Sequence, residues 1–297
     1  MSTRGHNFFL LNEIIAFREQ PKTLPSVQKR IELVVGFWGF LYMNNWKKFS
    51  MVAQPSNLLL AALSPNYRAS LVARMRTVTL GPREILYEGD ETPKYAHFLT
   101  SGVASIVVSM SNGASSEVGL WGREGLVESF HLLGTARLPN RCMVQMESTA
   151  LRIPFQELHR EFRESAELRD CVLQGVQSQT AIFGQLAGCN RLHEAEERLA
   201  RWLLMVRDRI ESDTFFITQE FLAVMLGSRR TTVTAAAGEL QRRGLIHYSR
   251  GRIHVSDPEG LEQVACECYP TIRELYGSFY CGAPELDAAR AARPNTA

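Results

Sequence analysis

Hydrophobic and polar residues alternate with different periods in successive stretches of the chain. From Pro55 to Met75 the spacing is helical, with Leu59, Leu63, Leu71 and Met75 on one face. Ser64-Pro65 interrupts it and opens a second short helix. From Val78 to Pro154 the period falls to that of strands. Thr77–Leu80, Ile85–Tyr87, Tyr95–Thr100, Val103–Ser109, Ser116–Trp121, Cys142–Met146 and Ala150–Ile153 are short apolar or alternating runs separated by turn residues. Asn112-Gly113 is a hairpin signal between two of them. Many short strands with such punctuation predict a sandwich, barrel or jelly roll.

The helical period returns over Phe155–Ile210, without turn punctuation. Leu168, Val172, Gly175, Gln179, Ile182, Leu186 and Cys189 step alternately by four and three. This is a heptad seam, which predicts either packing on the helix's own domain or pairing with a second copy; the latter makes it a dimer seam.

Residues 217–254 carry a third pattern. Thr218 is placed to cap a short helix ending at Leu226, and Gly227 breaks it. Ser228 is placed to cap the next, Arg229–Arg243, which would bury Val233, Ala236, Ala237 and Leu240 and end at Gly244. Leu245–Tyr248 and Arg252–Val255 flank Ser249-Arg-Gly251 as a wing. Helix, glycine turn, helix and wing in that order predict a winged helix-turn-helix. Its second helix can enter the major groove, which makes Ser228, Arg229, Arg230, Thr231, Thr232 and Thr234 candidates for contacting DNA. Thr218 and Gln219, at the start of the first helix, are candidates for holding a phosphate.

Charge sharpens this. Lys plus Arg number 33 and Asp plus Glu 31, a net +2 that on average speaks against a nucleic-acid partner. Between Gly227 and His254, however, Arg229, Arg230, Arg242, Arg243, Arg250 and Arg252 face one acid, Glu239. The six cysteines (142, 171, 189, 266, 268 and 281) include no Cys-x-x-Cys pair, so free thiols in a reducing cytoplasm and no metal site are expected. None of the seven histidines forms the His-x-His pair of a metal-dependent cupin-like enzyme, and no nucleophile or phosphate-loop motif stands out, so no enzyme is expected.

Residues 1–50 admit three readings. They form a helical pair, Phe8–Arg18 and Val27–Tyr42, parted by Pro21 and Pro25; or an interfacial anchor with Phe37, Trp38, Phe40, Tyr42 and Trp46 before Lys47 and Lys48; or they lie outside the working protein, Met51 being an alternative start. The apolar run Leu33–Met43 is 11 residues, against the roughly 20 of a spanning helix. A cytoplasmic chain without a membrane partner is expected.

Over about residues 57–275 the chain resembles the Crp–Fnr superfamily of bacterial transcription regulators. The resemblance rests on Ile85–Asp90, Tyr95–Gly102, the Asn112-Gly113 hairpin, Gly122–Leu126, and Ile217 through Ile246. It implies an α+β chain with an N-terminal β jelly roll of cyclic-nucleotide-binding type (51–160), a dimerisation helix (161–192) and a C-terminal winged helix-turn-helix (193–275), between an N-terminal extension (1–50) and a tail (276–297). It further implies a homodimer on near-palindromic double-stranded DNA, contact with RNA polymerase, and a small effector in the roll. Leu168, Val172, Gln179, Ile182 and Leu186 would form the dimer seam. Gly122, Arg123, Glu124, Gly125, Arg141 and Cys142 would face the effector.

Departures from the pattern narrow the effector. Where the cyclic-AMP branch has a ribose-binding Glu, this chain has Arg123, and its phosphate-binding Arg-Ser pair is matched only by Arg141-Cys142, beyond a longer loop. This argues against cyclic AMP. The iron–sulfur cluster of the oxygen-sensing branch needs cysteines before the roll, and none precedes Cys142. His97 and His131 are the residues of the roll that could ligate a haem. Thr231 stands where the family commonly has an acid, which argues for a different target sequence.

Overall fold

The computed structural model describes residues 57–134 and 137–277, which belong to a single compact unit. Cys281 and the three readings of residues 1–50 lie outside these residues.

Two short helices come first, α1 (Leu58–Ala62) and α2 (Pro65–Val72). The Asn57 side chain caps α1 through Leu60 N, and its amide donates to Leu99 O and Gly125 O (3.1 and 2.9 Å), pinning the helix to the roll. Pro65 opens α2. Seven strands follow: β1 (Arg76–Leu80), β2 (Ile85–Tyr87), β3 (Tyr95–Ser101), β4 (Ala104–Ser109), β5 (Ser115–Trp121), β6 (Arg141–Val144) and β7 (Ser148–Pro154). They pair antiparallel as a three-stranded sheet, β1-β7-β3, and a four-stranded sheet, β2-β6-β4-β5. The roll interior holds Leu80, Tyr87, Leu99, Ile106, Trp121, Cys142 and Val144. The seven predicted strands are all present, within one to two residues at nearly every end.

The predicted unbroken helical stretch is three helices: α3 (Phe155–Glu164), α4 (Ala166–Leu192) and α5 (Ala195–Ile210). Ser165 leaves helical geometry and caps α4 through Leu168 N at 3.2 Å. Glu194 and Glu197 form a capping box that starts α5. Both breaks are made by polar residues rather than Gly or Pro, which is why punctuation alone misses them.

The C-terminal part contains β8 (Thr214–Phe216), α6 (Gln219–Met225), α7 (Arg230–Arg242), β9 (Ile246–Ser249), β10 (Arg252–Val255), α8 (Pro258–Val264) and α9 (Cys268–Gly277). The wing has three strands, ordered β8-β10-β9, one more than the sequence indicates. Arg250 and Gly251, both at positive φ (49° and 78°), turn β9 into β10. One large core joins the far half of α4 to α5, α7 and the wing, with Ile182, Leu186, Trp202, Leu203, Val233, Leu240 and Ile253 in it.

The predicted seam residues of α4 are buried within the chain. Leu168 and Val172 pack with α1 and α3; Ile182 and Leu186 pack with the C-terminal part; Leu168, Val172, Gln179 and Ile182 are fully buried within the same chain. The heptad spacing therefore marks the inward face of α4. Leu173 is 44% exposed on the other side, followed by exposed Gln177, Thr180, Gly184, Ala187 and Arg191. A Cβ on Gly184 or Gly188 would meet nothing within 4 Å. At Gly119 of β5 it would lie 2.3 Å from the Phe183 ring and 2.7 Å from the Gln179 amide, so glycine there sets how closely α4 crosses the sheet.

Candidate functional site

The first turn of α7 stands free of the core. Gly227, at φ 54°, makes the turn out of α6, with its Cα so close to β5 that a Cβ would lie 2.8 Å from Ser116 Oγ. Arg229 takes the N-cap geometry of α7 without a side-chain cap. Ser228, predicted to cap, instead accepts from Arg198 Nη2 (3.0 Å) and donates to Leu226 O (3.2 Å), so its hydroxyl fixes the turn from inside. Arg229, Arg230, Thr231, Thr232 and Thr234 are all exposed, while Val233, Ala236, Ala237 and Leu240 hold the opposite face in the core.

Thr218 caps α6 by accepting from Phe221 N at 3.2 Å. Thr234 donates to Gln219 Oε1 at 2.9 Å, tying the two helices together. Thr218, Gln219, Arg230, Tyr248, Arg250 and Gly251 line one open groove of about 350 Å³ between the helix starts and the wing. The structure thus gathers the predicted DNA-contacting residues onto one surface, with Ser228 behind it, and adds Tyr248 and Arg250.

The charge on this surface is uncompensated. Arg242 pairs with Glu239 and Arg243 with Glu196. Among the described residues no carboxylate pairs with Arg229, Arg230 or Arg250. Arg252 lies over the Phe216 ring at 4.6 Å.

The residues expected to face an effector are placed differently. Glu124 is buried, and its Oε1 accepts from Arg209 Nε (2.9 Å) and Gly122 N (3.0 Å). Arg209, on α5, is itself buried and lies 3.9 Å from the Tyr276 ring centre. Arg123 pairs with Glu211 just beyond α5. The carbonyl of Gly125 takes the Asn57 amide. Gly122, Arg123 and Glu124 thus lie at the junction between the roll and the DNA-binding part, while Gly125 anchors α1. Cys142 packs in the roll core, and burial pushes its thiol well above the ordinary range. Arg141 is half-buried with its Nε unpartnered.

The two histidines of the roll are held differently. His97 Nδ1 is 2.7 Å from buried Glu128 Oε1, an internal pair. His131 has both ring nitrogens unpartnered and its ring 4.5 Å from that of Tyr87; burial lowers its pKa to about 4.

Sequence reading missed a second link across the junction. Glu117 on β5 is enclosed, accepting from Trp202 Nε1 of α5 (3.0 Å) and Gln145 Nε2 (2.8 Å). Ser105 bonds Gln145 and donates to Met225 Sδ of α6 at 3.4 Å. The chain also brings Cys189, His193, Cys266 and Cys268 together, which the spacing of the cysteines does not reveal.

The cyclic nucleotide-binding domain family matches residues 77–165, and the Crp-like helix-turn-helix domain family matches residues 197–264. Together they span more than half of the chain. No curated protein matches it. Several solved structures do. A transcriptional regulator of the Crp/Fnr family from Eubacterium rectale is 17% identical, with 69% of this chain and 96% of that one covered and a TM-score of 0.56. FixK2 from Bradyrhizobium japonicum is 13% identical, with 65% and 98% covered and a TM-score of 0.55. The c-di-GMP responsive global regulator CLP from Xanthomonas campestris is 15% identical, with 65% and 99% covered and a TM-score of 0.52. These identities speak to the fold. No described helix is long and apolar enough to cross a membrane. With the nucleotide-binding-type roll, the long helix and the Crp-like helix-turn-helix in this order, the chain belongs to the Crp–Fnr superfamily of transcription regulators.

Proposed function

We propose that the protein acts in the cytoplasm as a homodimer that reads a near-palindromic operator and passes the state of its roll to its recognition helices and thence to RNA polymerase. The observation that carries this is the exposed first turn of α7: unpaired Arg229 and Arg230, with Thr231, Thr232 and Thr234, beside a wing tipped by Arg250. Arginine can bond guanine O6 and N7 together, and threonine can meet a base edge or the thymine methyl. Thr218 and Gln219 hold a backbone phosphate at the edge of the same groove.

Pairing would use the outward face of α4, through Leu173, Gln177, Thr180, Gly184 and Ala187, because the inward face is already covered. Two copies so joined present α7 to grooves one turn apart, about 34 Å. The effector is a small molecule other than cyclic AMP. The support is that the glycine-flanked loop at 122–125 is engaged by Arg209 and Glu211 and that Cys142 is a core residue. An effector acts by favouring one arrangement of that junction over another.

Selection of random duplexes by the purified chain tests the reading. A two-fold site with half-sites one turn apart is expected. Arg230→Ala should lose about 1–3 kcal/mol of affinity for that site at fixed salt, with its circular dichroism unchanged. Failure to enrich any sequence, or unchanged affinity of the variant, would overturn it.

A further inference from the structure

Cys189 sits in the last turn of α4, and His193 is that helix's C-cap residue, four positions on and therefore on the same side. Cys266 lies between α8 and α9, and Cys268 is the first residue of α9. The fold closes a gap of more than seventy residues to bring these two pairs together. Their four donor atoms all lie within 4.8 Å of one another. Cys189 Sγ is 3.5 Å from Cys266 Sγ, and Cys268 Sγ is 3.6 Å from His193 Nδ1.

Those separations are the edges of a small tetrahedron. Around zinc, with Zn–S about 2.3 Å and Zn–N about 2.0–2.1 Å, neighbouring ligand atoms stand roughly 3.6–3.8 Å apart. A disulfide would instead need its sulfurs at about 2.05 Å. A cluster with several irons between its thiolates would hold them wider than a single ion does.

The surroundings complete the picture. His193 Nε2 is 3.0 Å from Glu267 Oε1, so the far ring nitrogen can donate to a carboxylate while Nδ1 keeps its lone pair for a metal. Gln185 Nε2 donates to Cys268 Sγ at 3.0 Å, a bond that favours a thiolate. Arg201, 3% exposed, has an unpartnered Nε, and its charge acts on Cys189. Three thiolates and one imidazole around a divalent ion carry a net −1, which gives that buried arginine a counter-charge. The three cysteines are buried, and none exposes its sulfur as an isolated reactive thiol would.

We propose that Cys189, His193, Cys266 and Cys268 bind one Zn²⁺ in a closed Cys₃His tetrahedron that clamps the end of the long helix to the C-terminal helices. All four positions are filled by protein, so the ion is structural rather than catalytic. It fastens the α4–α5 bend, one of the connections between the roll and the recognition helix.

The test is elemental analysis of the full chain purified under reducing conditions without added chelator. About one zinc per chain is expected, falling to near none in Cys189→Ser and Cys268→Ser and unchanged in Cys142→Ser and Cys171→Ser. Because the first two variants can misfold, the wild-type chain is also stripped and titrated with Co²⁺. Thiolate charge-transfer bands and tetrahedral d–d bands saturating at one equivalent, with three thiols protected from a thiol reagent, support the site. Iron with inorganic sulfide, a Cys189–Cys266 disulfide in the reduced preparation, metal retained in Cys189→Ser, or a folded chain taking up neither zinc nor cobalt would each overturn it.

Discussion

Glu117 sits on β5 with its carboxyl enclosed between Trp202, Gln145 and Ser105. Burial pushes its pKa up to about 7 from 4.5, and the hydrogen bonds from Ser105 and Trp202 only partly offset this. Between these two values the folded chain holds a proton that the unfolded chain has released. Stability from this residue is therefore full below pH 4.5 and is lost as pH rises to about 7. At about 1.4 kcal/mol per unit, the swing is about 3 kcal/mol at most. Urea unfolding at pH 5 and pH 8 should show wild type losing more stability than Glu117→Gln; parallel behaviour of the two would refute the assignment. Nothing in the sequence marks Glu117, which is one polar position in an alternating strand. Arg229 and Arg230 were legible because glycine and charge pattern surround them. Cys189, His193, Cys266 and Cys268 were not, because only the fold unites positions so far apart.

At the scale of elements, the strands of the roll were readable because each is short, alternating and bounded by turn residues. The helix pair was readable because Gly227 and Gly244 punctuate it. The seam of α4 shows where such reading stops. A heptad identifies a buried face but not what buries it, and here the same chain does. Two substitutions separate the faces. Leu186→Ala should cost about 2–5 kcal/mol of stability through the cavity it leaves, measured by denaturant unfolding. Gly184→Arg on the outward face should yield monomers in sedimentation analysis while leaving the far-ultraviolet circular dichroism unchanged. A dimer that survives Gly184→Arg would place the pairing surface elsewhere.

Across the whole molecule, the roll and the DNA-binding part share one body through few but buried links. The Arg209–Glu124 pair is the buried ion pair among them. Removing one partner leaves a buried charge uncompensated, a loss of about 3–5 kcal/mol. In Glu124→Leu, amide exchange should quicken over α5 and residues 119–125 and stay slow in the β1-β7-β3 sheet. Uniform quickening would mean that the pair supports the whole fold rather than the junction.

The crossing of α4 over Gly119 gives this body a mechanical property. From Gln179, where the helix rests on β5, to His193 is fourteen residues, or about 21 Å of rigid rod. With that contact as fulcrum, a tilt of about 3° carries the far end roughly 1 Å. At that end Arg198 donates to Asn190 O at 3.1 Å and also holds Leu226 O and Ser228 Oγ in the recognition turn. A displacement of 1 Å outruns the length tolerance of a hydrogen bond. The lever arm is thus long enough for an ångström-scale push from the roll to arrive at the DNA-reading turn as a broken or remade bond.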